Sequence, residues 1–243
     1  MHSLLSLLFK QLTIKLRFIV IVISLKVCLN GSELEKCESY KYLGVYIDSK
    51  LNWKNHIEHI TSKIAKSCGA LAKIRHYVDT KTLVNIFHAL VNSYARYGII
   101  VWGNAGKATL KPLQSMVNKA IRIITFAPFG NIDLKPAYRQ LKLLSVENLL
   151  KFELAKFTYK SNNDLLPIHV GNYFELSSEQ HCHNHFVRNR LRPVRFLSKS
   201  KTGEKSVQYK SFQLWKEILP EIKTSSSLSL FKRKYKTFLI DNC

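Results

Sequence analysis

The fold of this chain is decided by one long amphipathic stretch, residues 53–74, with the sequence WKNHIEHITSKIAKSCGALAKI. Its apolar residues recur at steps of three and four, which is the spacing of one face of an α-helix. This spacing predicts a helix from residue 53 onward that packs an apolar stripe into a core. The stripe consists of Trp53, Ile57, Ile60, Ile64, Cys68, Leu71 and Ile74.

Three lysines of the same stretch share a different face of the predicted helix. By helical geometry, Lys63, Lys66 and Lys73 lie more than about 90° from the centre of the apolar stripe. Glu58 is the only acidic residue between Trp53 and Tyr77, whereas a face that serves solubility alone more often mixes both signs of charge. The residues leave two interpretations equally open: a solvated face, and a face that contacts phosphates.

A second helix is predicted after Asp79, which is a suitable N-cap residue. The segment that follows it, residues 97–103, is almost entirely apolar, and we expect it to be buried. The apolar stripe expected for this helix is Leu83, Phe87, Leu90, Val91 and Tyr94.

Three more helices are predicted further along the chain. One runs over about residues 109–126 and is terminated by Pro128 and Gly130. Ser145 is a suitable cap for the next, and the last begins near Ser227. The helix over residues 109–126 should point Leu113, Val117, Ile121 and Ile124 inward and Lys111, Lys119 and Arg122 outward.

Strand signals are confined to the N-terminal part of the chain. Asn30-Gly31 between two strand-like runs predicts a type I′ hairpin turn. Residues 39–48 alternate with period two, and Gly44 leaves a gap that would let another backbone approach closely. The alternation places Leu43, Val45 and Ile47 on one face and Tyr40, Tyr42 and Tyr46 on the other. The expected fold is therefore mainly α with a small N-terminal β-hairpin or sheet (α+β).

The first residues of the chain are strongly apolar, but Lys10, Lys15, Arg17 and Lys26 interrupt residues 3–29. A membrane span needs about 20 consecutive apolar residues, so membrane insertion is disfavoured. The β-branched run within this stretch is more typical of a buried strand.

The charge of the chain predicts a polyanionic partner. Lys and Arg number 38 against 16 Asp and Glu, a formal net charge of +22. This excess indicates nucleic acid first and an anionic membrane second, with a merely soluble basic protein as the plain alternative. A cluster of arginines next to Phe186 and Phe196 suits phosphate contact and base stacking. The arginines of interest are Arg188, Arg190 and Arg192.

Motifs for catalysis or metal binding are absent from the sequence. The five cysteines include no CxxC pair, and the group at His181, Cys182, His183 and His185 lacks the spacing of a zinc finger, so a polar loop is favoured there. The five aspartates are scattered, although two-metal phosphoryl transfer needs several converging carboxylates. We therefore expect no catalytic residue, metal site, cofactor or small-molecule substrate.

Five pieces of the chain, in order, resemble the reverse transcriptases of non-LTR (LINE-type) retrotransposons over about residues 27–240. The pieces are SYKYLGVYIDSKLNWKNHI (39–57), KIAKSCGALAKIR (63–75), TLVNIFHALVNSYARYGIIVWG (82–103), LQSMVNKAIRIIT (113–125) and FQLWKEILPEIKTSSSLSLFKRKYKTFL (212–239). The resemblance implies that Tyr42, Leu43, Gly44 and Val45 form the primer grip. It also implies that the helices after Trp53 form a thumb on the template–primer duplex, which favours the phosphate-contacting interpretation of the lysine face.

The resemblance divides the chain into an apolar N-terminal segment (1–26), a palm remnant with the grip hairpin (27–52), a helical thumb-like region (53–130) and a basic C-terminal region (131–243). The family's catalytic carboxylates, which use Mg²⁺, lie upstream of the grip, and no aspartate precedes Tyr42 here. We therefore expect a truncated reverse transcriptase that is inactive alone, inside the cell in the nucleus or cytoplasm. Its expected partners are RNA, DNA or an RNA–DNA hybrid, contacted by Lys63, Lys66, Lys73, Lys119, Arg122 and the three arginines at 188–192.

Two alternatives of another class stay open. The chain could be a non-catalytic basic module that binds nucleic acid, or a peripheral membrane protein held by residues 3–29. The oligomeric state is left undetermined by the sequence.

Overall fold

The computed structural model describes residues 37–128, 130, 132–167, 170 and 203–242, together with the backbone of 28–29 and 32–33. The described part is mainly helical with two small antiparallel sheets, as the sequence predicted. The strands are β1 (Cys28–Leu29), β2 (Ser32–Glu33), β3 (Ser39–Tyr42) and β4 (Val45–Asp48). The helices are α1 (Lys54–Ile74), α2 (Thr80–Phe87), α3 (Ser93–Arg96), α4 (Ile99–Trp102), α5 (Lys107–Thr125), α6 (Lys135–Gln140), α7 (Val146–Asn162), α8 (Val207–Glu217), α9 (Pro220–Lys223) and α10 (Leu228–Asp241), with a π-helical turn His88–Asn92 and a 3₁₀ turn Gly203–Lys205.

Strands β1 and β2 pair antiparallel with Leu29 opposite Ser32. This register leaves a two-residue connection, as the Asn30-Gly31 signal predicted, although those two residues lie outside the described part of the chain. The strand expected within the apolar N-terminal segment 1–26 also lies outside it.

Strands β3 and β4 form a hairpin and not one continuous strand. The turn residues Leu43 and Gly44 both have positive φ, 47° and 83°, which is the backbone of a type I′ turn. The turn changes the expected faces, because Tyr42 pairs opposite Val45 and opposite residues of an antiparallel pair share a face. The predicted separation of tyrosines from aliphatics is therefore wrong: Tyr42 lies on the face of Val45, and only Tyr46 lies on the other face with Lys41.

Helix α1 confirms the predicted amphipathic stretch. Trp53 and Ile74 flank a stripe in which Ile57, Ile64 and Leu71 are almost fully buried. The stripe packs against α5, whose predicted inward residues are likewise buried. Together with side chains of β4, the π-helical turn and residues 134–149, they form the first core cluster, from Val45 to Leu149.

The second helix begins as predicted, because the Asp79 carboxylate accepts a hydrogen bond from the Thr82 backbone N–H at 3.0 Å. Its expected stripe is wrong at one position. The π-helical turn has more residues per turn than an α-helix, so burial passes from Phe87 to Val91 while Leu90 is turned outward and is 39% exposed.

The apolar segment 97–103 is buried only in part. Ile99 and Trp102 are fully buried, as expected, but Tyr97 is 50% exposed. Gly103 lies close to α7: a Cβ atom there would lie 2.5 Å from the Ile99 carbonyl oxygen and 2.8 Å from Leu150 Cδ1.

The C-terminal helices build a second core cluster, from Phe152 to Leu239. Ser145 and Ser227 cap α7 and α10 as predicted, each accepting a backbone N–H bond at 3.2 Å. The center of this cluster is aromatic, with Phe231 stacked on Tyr159 at 4.5 Å between ring centroids. The side chains Ile100, Leu144 and Leu150 pack against both clusters and join them.

Among the described residues, no helix is long and apolar enough to cross a membrane.

Candidate nucleic-acid interface

The tip of the β3–β4 hairpin is held by the residues that follow α3. The Tyr97 hydroxyl donates a hydrogen bond of 2.7 Å to the Leu43 carbonyl, and a Cβ atom on Gly44 would lie 3.5 Å from Tyr97 Cε1. The Tyr97 carbonyl in turn accepts a 2.8 Å bond from Trp102 Nε1. The predicted grip residues 42–45 are therefore fixed to the helical core through Tyr97, and Gly44 supplies the positive φ of the turn.

The start of α1 is fixed by Asp48. One carboxylate oxygen accepts the Trp53 backbone N–H at 2.7 Å, and the other accepts those of Asn52 and Lys50 at 3.0 and 3.1 Å. This buried side chain satisfies backbone donors before the first helical turn. The arrangement gives Asp48 a structural role and sets the angle between the hairpin and α1.

His56 packs beneath the hairpin with only 1% of its surface exposed. Its Nδ1 accepts a long 3.4 Å bond from the Tyr46 backbone N–H, and its ring meets Trp102 edge-on at 5.4 Å between centroids. Nε2 has no hydrogen-bond partner among the described residues. Burial, together with the charge on His59, lowers the pKa of His56 to about 4, so the ring is neutral at physiological pH.

A row of cations and aromatic rings runs from the hairpin onto α1. Lys41 Nζ lies 5.4 Å above the Tyr46 ring, the Tyr46 ring lies 5.0 Å from that of His59, and Lys63 Nζ lies 5.3 Å from the Tyr94 ring. Burial and the charges of Lys63 and Lys41 lower the pKa of His59. We call these five residues, Lys41, Tyr46, His59, Lys63 and Tyr94, the hairpin–α1 face.

One of the three lysines predicted to share a face of α1 belongs to the hairpin–α1 face. Lys63, Lys66 and Lys73 are all exposed on α1. Lys63 belongs to the hairpin–α1 face, and Lys66 follows it by one helical turn. Of the three, Lys63 thus lies in the hairpin–α1 face, and the phosphate-contacting role of all three stays a prediction.

The two predicted cations of α5 differ from each other. Lys119 is exposed, and its charge acts on the thiol of Cys68 on α1, whose pKa burial raises. Arg122 is half-buried, and its Nη2 donates a 3.0 Å bond to the Gly130 carbonyl. This bond attaches Arg122, which was predicted to point outward, to the loop after α5. The remaining predicted cations, Arg188, Arg190 and Arg192, lie outside the described residues, as does the group at 181–185.

Four members of the candidate interface were missed by sequence reasoning. His59 precedes Lys63 by four residues, so helical spacing could have placed it beside the lysines. Lys41 could have been assigned through its register opposite Tyr46 once the turn at Leu43-Gly44 was recognised. Tyr94 and Tyr97 carry no such signal, because each was assigned to a buried apolar segment.

Within the described ranges, no group of three or more His, Cys, Asp and Glu side chains could hold a metal ion.

The chain is similar to polymerases of mobile elements. It is 32% identical over 107 residues to the RNA-directed DNA polymerase from mobile element jockey of Drosophila melanogaster, covering 42% of this chain and 12% of that protein. It is 27% identical over 133 residues to the probable RNA-directed DNA polymerase from transposon BS of the same species, covering 54% and 15%. The corresponding protein of transposon X-element is 29% identical over 110 residues, covering 44% and 12%.

These matches span 12 to 15% of the relatives' own length. No family model matches the chain, and no solved structure matches it significantly. The chain is therefore similar to part of the RNA-directed DNA polymerases of mobile elements, which confirms the resemblance to non-LTR retrotransposon reverse transcriptases that its motifs predicted.

Proposed function

We propose that this chain is a part of a reverse transcriptase that holds a nucleic-acid duplex, with the hairpin on the primer end and α1 along the backbone. The observation that carries the proposal is the hairpin–α1 face, in which the cations of Lys41 and Lys63 lie over the rings of Tyr46 and Tyr94. Cations of this kind neutralise phosphates, and rings beside them stack on bases or sugars. The similarity to RNA-directed DNA polymerases makes a template–primer hybrid the leading ligand.

The proposed role of the hairpin depends on its rigidity. Its turn has two positive φ angles, Tyr97 is bonded to its tip, and Asp48 fixes its base to the start of α1, so it presents a defined backbone edge at Leu43 and Gly44. A rigid edge is suited to positioning a primer end, because little ordering entropy is lost when the ligand binds.

We further propose that the chain does not add nucleotides by itself. The carboxylates of Asp48 and Asp79 already accept backbone N–H bonds that begin α1 and α2. Mg²⁺, which the family uses, would require carboxylates additional to these two. RNA, DNA and their hybrid are the proposed partners, and an intracellular location in the nucleus or cytoplasm is proposed with them.

Binding and catalysis can be tested in the same tubes. The purified chain is titrated against a fluorescent RNA–DNA template–primer over a series of KCl concentrations, with Mg²⁺ and dNTPs present to report primer extension. We expect binding that weakens as salt rises, without extension. Extension would contradict the claim that the chain is inactive alone, and absence of binding at low salt would contradict the proposed function.

The same assay separates the polymerase-derived role from that of a general basic module. A general module responds to phosphate density alone, so it would not distinguish a recessed primer end from a blunt end. A duplex grip should favour the hybrid with a recessed primer end over a blunt hybrid of equal length. Equal affinities for these two hybrids would support the general module.

A further inference from the structure

A second concentration of cations surrounds a single carboxylate. Glu153 on α7 accepts Arg96 Nε on one oxygen and Lys156 Nζ on the other, both at 2.6 Å. The Glu153 side chain is only 12% exposed, so this triad is fixed and largely shielded from water. Electrostatic interactions extend the triad to three further lysines: the charge of Lys232 acts on Lys156, and the charges of Arg96 and Lys142 act on Lys236. The seam cluster, as we call it, consists of Arg96, Lys142, Lys156, Lys232 and Lys236.

Contacts between helices place these cations together. Tyr235 of α10 stacks on Phe152 of α7, with their rings 6.5 Å apart and nearly parallel. Lys236 is the next residue after Tyr235, and Glu153 is the next residue after Phe152. Arg139 and Asn148 flank Lys142 in the sequence. Each donates a side-chain hydrogen bond to a backbone carbonyl at the end of α10, at 3.2 and 3.3 Å. The turn that carries Lys142 is thereby held against α10.

The positive charge of the seam cluster is poorly compensated. In the described part of the chain, Glu153 is the only carboxylate that forms an ion pair with any of the five cations, so four positive charges stay unbalanced. Burial and the charges of Arg96 and Lys142 lower the pKa of Lys236. Burial likewise lowers the pKa of Lys156 in spite of its pairing with Glu153. The neighbouring cations thus repel one another in a partly dehydrated setting.

The seam cluster also lies where the two core clusters meet. Arg96 follows Ala95, which is buried in the first core cluster, and Lys236 follows Tyr235, which is buried in the second. The site is open to a ligand, because Lys142 is exposed and the Arg96 side chain is 48% exposed. An anion that paired with both Arg96 and Lys236 would contact cations from both sides of the junction.

We propose that the seam cluster is a binding site for phosphate groups, supplied in this chain by the backbone of bound nucleic acid. Cations that repel one another at a partly buried site gain more from an incoming phosphate than isolated lysines do, because the anion both pairs with them and relieves their repulsion. The source of the phosphate rests on the proposed function, whereas the site itself rests on the arrangement of the cations.

The test uses a variant that leaves the Glu153 triad intact. Lys142→Gln/Lys236→Gln removes two cations of the seam, and Lys81→Gln/Lys107→Gln is a charge-matched control at exposed positions of α2 and α5. Without ligand at low salt, the seam variant should unfold at a higher temperature than the control because repulsion is relieved. Tripolyphosphate should raise the Tm of the wild type and of the control, and should not raise that of the seam variant.

The source of the phosphate is tested with an RNA–DNA hybrid and with phosphatidylserine–phosphatidylcholine vesicles. The salt dependence of hybrid binding should be flatter in the seam variant than in the control, by up to about two units of slope. Identical Tm shifts and slopes in the two variants would overturn the seam site and leave the proposed function standing. Nucleic acid would be overturned as the source if the seam variant bound the vesicles more weakly than the control but bound the hybrid with the same salt dependence.

If the wild type fails to bind the hybrid while tripolyphosphate stabilises it through the seam, the proposed function fails and the phosphate site is supported. The two failures are therefore distinguishable in one set of proteins.

Discussion

The Tyr97 hydroxyl and the Leu43 carbonyl are joined by a 2.7 Å hydrogen bond across 54 positions of the chain. This bond connects the hairpin tip, which the resemblance identifies with the primer grip, to the turn between α3 and α4. The Tyr97 side chain is half exposed. Its backbone is nevertheless fixed, because its carbonyl accepts a hydrogen bond from the buried Trp102 indole. The position of the candidate grip is thus set by the helical core more than by the two short strands.

Removing the hydroxyl should loosen the hairpin without disturbing the core. We expect Tyr97→Phe to lower the free energy of unfolding by up to about 1 kcal/mol, the net worth of one hydrogen bond, and to weaken hybrid binding. Urea denaturation and hybrid titration measure the two effects. Tyr77→Phe, at a position 85% exposed, is the matched control and should change neither. Unchanged stability and affinity in Tyr97→Phe would show that the bond does not fix the tip.

Gly44 should resist substitution because of its backbone conformation. A methyl group there would meet Tyr97 Cε1 at an ordinary 3.5 Å, so space is sufficient, but φ is +83°. We expect Gly44→Ala to cost about 1–2 kcal/mol, the penalty for a side chain in the left-handed region. Denaturation measures the cost, and Gly44→Asn should recover part of it because Asn tolerates this region. Equal losses for Ala and Asn would point to a cause other than φ.

Gly103 should resist substitution for the opposite reason. Its φ is an ordinary −66°, but a Cβ atom would lie 2.5 Å from a backbone oxygen and 2.8 Å from Leu150. We expect Gly103→Ala to destabilise the chain by about 2 kcal/mol or more, since overpacking forces backbone shifts. The control is Gly69→Ala in α1, where nothing lies within 4 Å of the new methyl group. That change should stabilise the chain by about 0.5–1 kcal/mol through helix propensity.

His56 should make stability depend on pH. Because burial lowers its pKa to about 4 in the folded chain, the unfolded chain binds the extra proton between the two pKa values. The free energy of unfolding is therefore unaffected by the titration of His56 above about pH 6.5. It falls as the pH drops from there toward 4, by at most about 3 kcal/mol. Urea midpoints from pH 7 to 4 measure it, and His56→Asn, which keeps an acceptor but does not titrate, should flatten the profile. A profile equally steep in this variant would assign the effect to other groups.

The sequence was sufficient for the elements whose signal is local. The stripes of α1 and α5 and the caps Asp79, Ser145 and Ser227 each depend on neighbours within a few residues, and all were confirmed. The faces of the β3–β4 hairpin were not, because the alternation does not show that Leu43 adopts a positive φ. The outward rotation of Leu90 likewise depends on a π-helical turn that its neighbours do not specify.

The candidate sites were predicted less completely than the helices. Lys63 and Lys66 could be predicted because they share a helix, whereas Tyr94 reaches Lys63 from a different element. The seam cluster gathers residues from α3, the turn after α6, α7 and α10, and its members are up to 140 positions apart, from Arg96 to Lys236. Only tertiary packing brings such residues together.

The most direct test of the central claim compares three lysines of α1 with three others of equal charge. Hybrid affinity is measured over a KCl series for Lys63→Gln/Lys66→Gln/Lys73→Gln and for Lys81→Gln/Lys107→Gln/Lys135→Gln, whose lysines are also exposed. If α1 follows the phosphate backbone, the plot of log affinity against log salt should flatten by up to about three units in the first variant and stay close to wild type in the second. Equal slopes in the two variants would contradict the account, because α1 would then contribute only its share of the net charge.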